Sequence, residues 1–330
     1  MDTPEFETGL TAVMAAARLT EAVRAAMVAG DGEAALSKDD RSPVTIADFG
    51  AQALVCRAIR QRFPDDQIVA EEDSAALREP TNGEALAAVV HFAAAQLGTG
   101  DAVDENAVCR WIDEGNGRPD GRYWVLDPID GTKGYLRNDQ YAIALALIED
   151  GAVQWAFLGC PALPHDGQSG VVFVAKRGAG SDIYTLDGQW FGPAQVSDIA
   201  TPRDARMTES VESGHTNRGI SGQLKARLGI SESVRMDSQA KYAAVARGQA
   251  EIYLRAPNPK TPDYRENIWD HAAGWLVVSE AGGRVSDIHG QPLDWSHGRR
   301  LEENRGVVAT NGHVHDEVIA TIAEILAAAR

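Results

Sequence analysis

The run Tyr123-Trp124-Val125-Leu126-Asp127-Pro128-Ile129-Asp130-Gly131-Thr132 limits the folding choices of this chain more than any other segment. Its four apolar residues read as a buried strand, Pro128 is expected to forbid further sheet pairing, and Gly131 permits a tight turn. Two carboxylates and a free carbonyl can then converge on one point. Such a point suits Mg²⁺, which takes oxygen ligands in near-octahedral geometry and keeps several waters. The residues alone serve a second reading equally well, with Asp127 and Asp130 as turn caps. Two further acidic points bear on that choice. Glu71-Glu72-Asp73 follows the short strand Ile68-Val69-Ala70, and Asp270 stands in Trp269-Asp270-His271-Ala272-Ala273-Gly274. Asp270 also suits the N-cap of a helix running through Trp275 to Ser279 and ending at Gly282-Gly283, a place compatible with binding phosphate.

Around these points the chain changes character once. Phe6, Leu10, Val13, Met14 and Ala17 recur at helical spacing, which predicts a helix to about Val28, stopped at Gly30-Asp31-Gly32. A second helix is expected from about Ile46 to Phe63, closed by Pro64-Asp65-Asp66. After weaker helix and loop from Pro80 to Arg110, strand signals dominate: 123–126, 141–148, 153–159 and 171–174, with a Gly-rich hairpin at 176–181. Glu149-Asp150-Gly151 is a hairpin turn of the Asp-Gly type, so these strands read as an antiparallel meander packed on the first helices. Beyond about Ser197, strands at 206–211, 234–237 and 250–254 alternate with helices near 220–228 and 240–247. A last helix carries Val314, Val318, Ile322 and Ile325 on one face. The division predicts an α+β domain over 1–197 and an α/β domain over 198–330, with the site between them.

With 44% hydrophobic residues among 330, the chain can bury a sizeable core. Its formal charge of −17 opposes binding to polymeric nucleic acid, whose backbone is held by clustered Lys and Arg. No run approaches the length of a membrane span, and the acidic N-terminus lacks the marks of a signal peptide, so the expectation is cytoplasmic. Cys56, Cys109 and Cys160 form no CxxC pair and read as small buried hydrophobes in a reducing compartment.

The ordered succession SPVTIADFGAQA, VAEED, WVLDPIDGTKGYLRNDQYAIALALIEDG, SVESGHT, DSQAKYAAVARGQAEIYLR, NIWDHAAG and EAGG resembles the inositol monophosphatase superfamily. The superfamily signatures are GEE, DPIDGT and WDxAAG, and the match is nearest to its 3′(2′),5′-bisphosphate nucleotidase branch, over nearly the whole chain. The resemblance implies a layered αβαβα sandwich, combining α+β and α/β parts, of the inositol monophosphatase/fructose-1,6-bisphosphatase type. It implies that Glu71, Asp127, the Ile129 carbonyl, Asp130 and Asp270 hold two or three Mg²⁺ ions, and that Asp48 and Thr132 orient the attacking water. Gly131, His215, Ser238, Lys241 and Arg255 would lie around the substrate, His215 near the base and the polar or basic groups near a second phosphate. Read without the resemblance, Thr132 is a turn hydroxyl, Asp48 a surface helix residue, His215 a loop residue, and Lys241 and Arg255 solvated charges. Two stretches depart from the pattern: Asn217-Arg218 after SVESGHT, and Asn138-Asp139 where a Gly often stands.

The implied activity is Mg²⁺-dependent, lithium-sensitive hydrolysis of 3′-phosphoadenosine 5′-phosphate to AMP and phosphate, with its sulfated form PAPS as a further substrate, by a monomer or homodimer. Two alternatives remain at this point: an inositol phosphate phosphatase with the same metal site, and a nucleotide sensor without catalysis. All five acidic positions, Asp48, Glu71, Asp127, Asp130 and Asp270, are present, which disfavours the sensor.

Overall fold

The computed structural model describes residues 3–29, 42–98, 103–211, 219–258, 260–261 and 263–328. His215, Asn217 and Arg218 lie outside these described residues, as does the Gly30-Asp31-Gly32 stop of the first helix. Two long helices open the fold, α1 (Pro4–Ala29) and α2 (Ser42–Arg62). The second begins earlier than the sequence suggests, at Ser42, with Pro43 in its first turn where the missing N–H costs nothing.

The first sheet has seven strands in chain order: β1 (Gln67–Ala70), β2 (Arg122–Asp130), β3 (Ala142–Glu149), β4 (Ala152–Cys160), β5 (Val171–Lys176), β6 (Gly180–Thr185) and β7 (Trp190–Pro193). From β2 onward each strand pairs antiparallel with the next, the expected meander. The turn from β3 to β4 places Asp150 at φ 48° and Gly151 at φ 74°, the left-handed pair that an Asp-Gly hairpin demands. Only β1 is parallel to its neighbour β2, reached through α3 (Gly83–Leu97) and α4 (Glu105–Asp113). Asp104 caps α4 by accepting from the Ala107 N–H at 2.7 Å.

Each strand presents alternate residues to opposite layers. Ile143, Leu145 and Leu147 of β3 pack with Leu10, Val13 and Ala17 of α1 and Val55 and Ile59 of α2. Ala142, Ala144 and Ala146 face the other way, toward α7 (Ala240–Ala246) and α8 (Ala272–Glu280). Those small side chains let the alanine-rich helices lie close to the sheet. A second sheet, in the order β11 (Arg284–Ser286), β12 (Val307–Thr310), β10 (Ile252–Arg255), β8 (Arg206–Glu209), β9 (Glu232–Arg235), covers the far side of α7 and α8. Tyr253, Val307 and Ala309 join that middle layer, while Ile252, Leu254 and Val308 turn outward onto α6 (Ile220–Leu228) and α9 (His315–Ala328). The succession is helix, sheet, helix, sheet, helix, the layered sandwich expected. The short strands β7, β11 and β12 were not legible in the sequence. Cys56, Cys109 and Cys160 are buried free thiols, as expected. Among the described residues, no helix is long and apolar enough to cross a membrane.

Candidate active site

The parallel pairing of β1 with β2 sets Ala70 beside Leu126, so the residues that follow, Glu71 just past the end of β1 and Asp127 still within β2, come to the same end of the pair. The Glu71 N–H donates to the Leu126 carbonyl at 3.2 Å, which fixes their stagger. Buried Gln52 of α2 then grips the next residue from both sides. Its amide donates to the Glu72 carbonyl at 2.5 Å and to the Ile112 carbonyl at 2.9 Å, and its oxygen accepts from the Glu72 N–H at 3.1 Å. Asp48 lies one turn earlier on α2 and is buried, 8% exposed, not a surface residue.

Pro128 does not end the pairing of β2. Asp127 stands opposite Ala144 and Asp130 opposite Ala142, so Pro128 and Ile129 bulge against a single residue of β3. The bulge brings Asp127 and Asp130 to one end of the strand. Gly131 follows at φ 91°, and Thr132 opens the single-turn helix α5 (Thr132–Leu136), exposed at its start. A Cβ on Gly131 would stand 2.7 Å from Cβ of Ser238, so the turn leans directly on the loop before α7. Ser238 is itself left-handed at φ 65°. The next N–H, that of Gln239, donates to Oδ2 of Asp130 at 2.5 Å.

Asp270 arrives from the other half of the chain. It is the last residue of a single 3₁₀ turn, Ile268–Asp270, and the N-cap position of α8 belongs to His271, so Asp270 is not the helix cap. The Gln239 side chain holds this segment, donating to the Trp269 carbonyl at 2.9 Å and accepting from the Gly274 N–H at 3.3 Å.

The electrostatics show how closely these groups gather. Burial first, then Glu71, Asp130, Asp270 and Asp48, push the Asp127 carboxyl well above its usual range. Burial and then Glu72 and Glu71 do the same to Asp48. Asp130 is pushed up to about 6 by burial and Asp270, with Lys241, the Gln239 N–H and Arg255 opposing. Glu71 is exposed as a whole residue, yet protein crowds its carboxyl end: burial, Asp270, Glu72 and Asp130 raise it to about 7 against a hydrogen bond with Asp127. Asp270 is raised by burial too. Asp127 is only 2% exposed, and its Oδ1 has no hydrogen-bond partner among the described residues. A buried oxygen without a donor, among carboxylates that repel one another, fits a bound cation.

On the opposite side stand the basic groups. Lys241 is buried, with Nζ 5.4 Å from the Tyr253 ring centre, and burial lowers its pKa against the pull of Asp130 and Asp237. Arg255 is exposed but not merely solvated: its Nε donates to Glu266 at 3.1 and 3.3 Å. Glu266, Asp270 and His271 also lie close enough together to share a metal. Burial raises the Glu266 carboxyl, but His271 and Arg255 outweigh it and hold the group down at about 2. Its charge is thus already matched by protein. The structure brings Asp48, Glu71, Asp127, Asp130, Asp270, Lys241 and Arg255 within electrostatic reach, with Ile129, Gly131, Thr132 and Ser238 in the adjoining turns. Sequence reasoning missed Gln52, Gln239 and Glu266, whose neighbours in the chain carry the recognisable signatures.

A layered αβαβα protein with a nest of carboxylates at the carboxyl ends of β1 and β2 defines the class. The profile of the inositol monophosphatase family matches residues 5–327, and the chain belongs to that family. It is 46% identical to a 3′(2′),5′-bisphosphate nucleotidase of Emericella nidulans over 88% of this chain and 90% of that one. It is 42% identical to a 3′(2′),5′-bisphosphate nucleotidase of Schizosaccharomyces pombe, over 97% and 95%. Among solved structures, an inositol monophosphatase from Anabaena (Nostoc) sp. PCC 7120 shares the fold with a TM-score of 0.62 at 20% identity, covering 96% of this chain and 94% of that one. The expectation of a phosphatase resembling the bisphosphate nucleotidases is borne out.

Proposed function

We propose that this chain is a Mg²⁺-dependent phosphomonoesterase that hydrolyses 3′-phosphoadenosine 5′-phosphate to AMP and phosphate, and acts also on PAPS. The observation that carries the reading is the buried carboxylate nest with its unpartnered Asp127 oxygen, in a chain 46% identical to a 3′(2′),5′-bisphosphate nucleotidase. Glu71, Asp127, the Ile129 carbonyl, Asp130 and Asp270 supply the oxygens that would hold two or three Mg²⁺ ions. When bound, Mg²⁺ lowers the pKa of a water and neutralises charge on the phosphate and the leaving oxygen.

The chain's own residues then divide the remaining work. Asp48, buried and with a raised pKa, is suited to accept a proton from the attacking water, and the exposed Thr132 hydroxyl orients it. Because phosphoryl transfer needs chiefly positioning and charge neutralisation, no covalent nucleophile is required. Lys241 and Arg255 bind the second phosphate, with Glu266 holding Arg255 through its Nε. Ser238 and Gly131 line the approach, and His215 contacts the base. In this reading residues 1–197 carry most of the metal ligands and residues 198–330 supply Asp270 and the selective contacts.

The test is phosphate release from a panel of phosphoadenosine, inositol and sugar phosphates, with Mg²⁺ and after exhaustive chelation. The expected result is a higher kcat/KM for 3′-phosphoadenosine 5′-phosphate than for inositol 1-phosphate, and no turnover without divalent cation. A preference for inositol 1-phosphate overturns the nucleotide assignment, and full activity after chelation overturns the metal role.

A further inference from the structure

Arg299 lies in the loop between β11 and β12, outside every motif that the sequence reading singled out. Its guanidinium is half-buried, and among the described residues no carboxylate forms an ion pair with it. Burial lowers its pKa without an opposing acidic partner. A cation removed from water usually acquires a counter-ion, so the contacts that Arg299 accepts instead carry information. There are three. Nη2 donates to the Ala70 carbonyl at 2.6 Å, the guanidinium lies 4.8 Å from the centre of the Trp269 ring, and the Arg299 carbonyl accepts from the Ile268 N–H at 3.1 Å.

Two of the three fall immediately beside a carboxylate of the site, and the third, at Ile268, lies two residues before Asp270. Ala70 precedes Glu71, and Trp269 precedes Asp270. These two carboxylates come from different halves of the chain and repel one another, Asp270 being the foremost charge acting on Glu71. Like charges so placed repel, so their separation has to be held by the backbone that carries them. We infer that Arg299 is a positioning residue that sets the separation of Glu71 and Asp270 by gripping the residue before each, and thereby tunes the affinity of the site for divalent cation.

Gln52 secures the Glu72 backbone, and Gln239 joins Asp130 to the Trp269 backbone, but neither spans from the Glu71 segment to the Asp270 segment. Arg299 does, with a guanidinium that donates to the Ala70 carbonyl while its carbon lies over the Trp269 ring. A lysine, a single compact charge without the guanidinium's planar fork of donors, is less suited to hold both partners at once. The inference rests on the proposed reading that Glu71 and Asp270 hold the cation.

The experiment compares wild type with Arg299→Met, which keeps apolar packing on Trp269 without the donor, and with Arg299→Lys, which keeps the charge. Mg²⁺ binding is measured by calorimetry without substrate, alongside the Mg²⁺ dependence of phosphate release and the melting temperature in chelator. Residues that orient ligands from behind typically contribute about 10–100-fold in metal affinity, and a loss of that size is expected for Arg299→Met. Near-normal kcat at saturating Mg²⁺ and a smaller loss for Arg299→Lys should accompany it. If Arg299→Met does not fold, the affinity of Arg299→Lys decides. Unchanged Mg²⁺ affinity with a lowered melting temperature in chelator makes Arg299 a staple of the fold only and overturns the inference. Wild-type protein that binds no Mg²⁺ at all overturns the site reading instead, a distinct outcome.

Discussion

Asp127 holds a buried carboxylate oxygen with no donor, beside other acids that raise its pKa. A buried acceptor left unmatched costs about 1–3 kcal/mol, and a charged one costs more. Asp127→Asn removes the charge at constant size, so turnover should vanish while the metal-free protein melts no lower than wild type, a pair of results read by phosphate release and by thermal denaturation in chelator. A fall in melting temperature would mean that Asp127 is held by a donor and not by a cation.

The same carboxyls give the site a pH signature. Glu71 stands near 7 in the fold against an ordinary 4.5, and Asp130 near 6 against 3.8. The native metal-free protein therefore binds protons that the unfolded chain lacks across this interval. The cost of the ionised cluster is complete above about pH 7 and is relieved as pH falls toward 4.5, so metal-free stability gains from acidification there. Cation binding requires the deprotonated groups and pulls the other way. The rise in melting temperature caused by saturating Mg²⁺ should therefore shrink steadily from pH 7.5 to pH 5. A Mg²⁺ effect independent of pH would separate the cation from these carboxyls.

At the scale of elements, the parallel pair β1 and β2, the bulge in β2 and the 3₁₀ turn at Ile268–Asp270 each deliver a carboxylate at a strand end or turn, where backbone can be aimed. The turn at Gly131, which follows the bulge, is a tight one, with φ 91° and Ser238 against it. An alanine there meets both backbone strain and a 2.7 Å contact. Gly131→Ala should destabilise the protein by about 1–3 kcal/mol in denaturant unfolding, the usual cost of an unfavourable backbone conformation. Turnover of the folded fraction should also fall, because Asp130 and Thr132 flank the displaced residue. Wild-type turnover in this variant would show that the turn tolerates movement and that its geometry does not aim the two groups.

The whole molecule sets the two sheets against a shared layer of small-residue helices, so carboxylates from the first half face Lys241 and Arg255 of the second. If those basic groups bind a second phosphate, Arg255→Ala should cut kcat/KM for 3′-phosphoadenosine 5′-phosphate about 10–100-fold, as hydrogen bonds to charged groups contribute about 1.5–3 kcal/mol. Activity on inositol 1-phosphate should barely change, and the preference should weaken with salt, which screens an exposed guanidinium. Equal losses on both substrates would assign Arg255, through Glu266, to the integrity of the site and not to selection.

Much of this arrangement is local and was legible in the chain: the helical spacing of α1, the Asp-Gly turn between β3 and β4, and the strand, proline and glycine order around Asp127. Such features follow from φ/ψ preference and from periodicity, which act over a few residues. The family resemblance also marked Asp48, Glu71, Asp127, Asp130 and Asp270, though not Glu266. What no local signal contains is which distant segments meet. The parallel registration of β1 with β2, the burial of Asp48, and the bulge that keeps β2 paired beyond Pro128 depend on packing across layers. So do the grips of Gln52 on Glu72, of Gln239 on Asp130 and Trp269, and of Arg299 on Ala70. Their partners lie 20 to 229 residues away, and only the closing of the sandwich, driven by burial of its apolar faces, brings these hydrogen-bonding groups together.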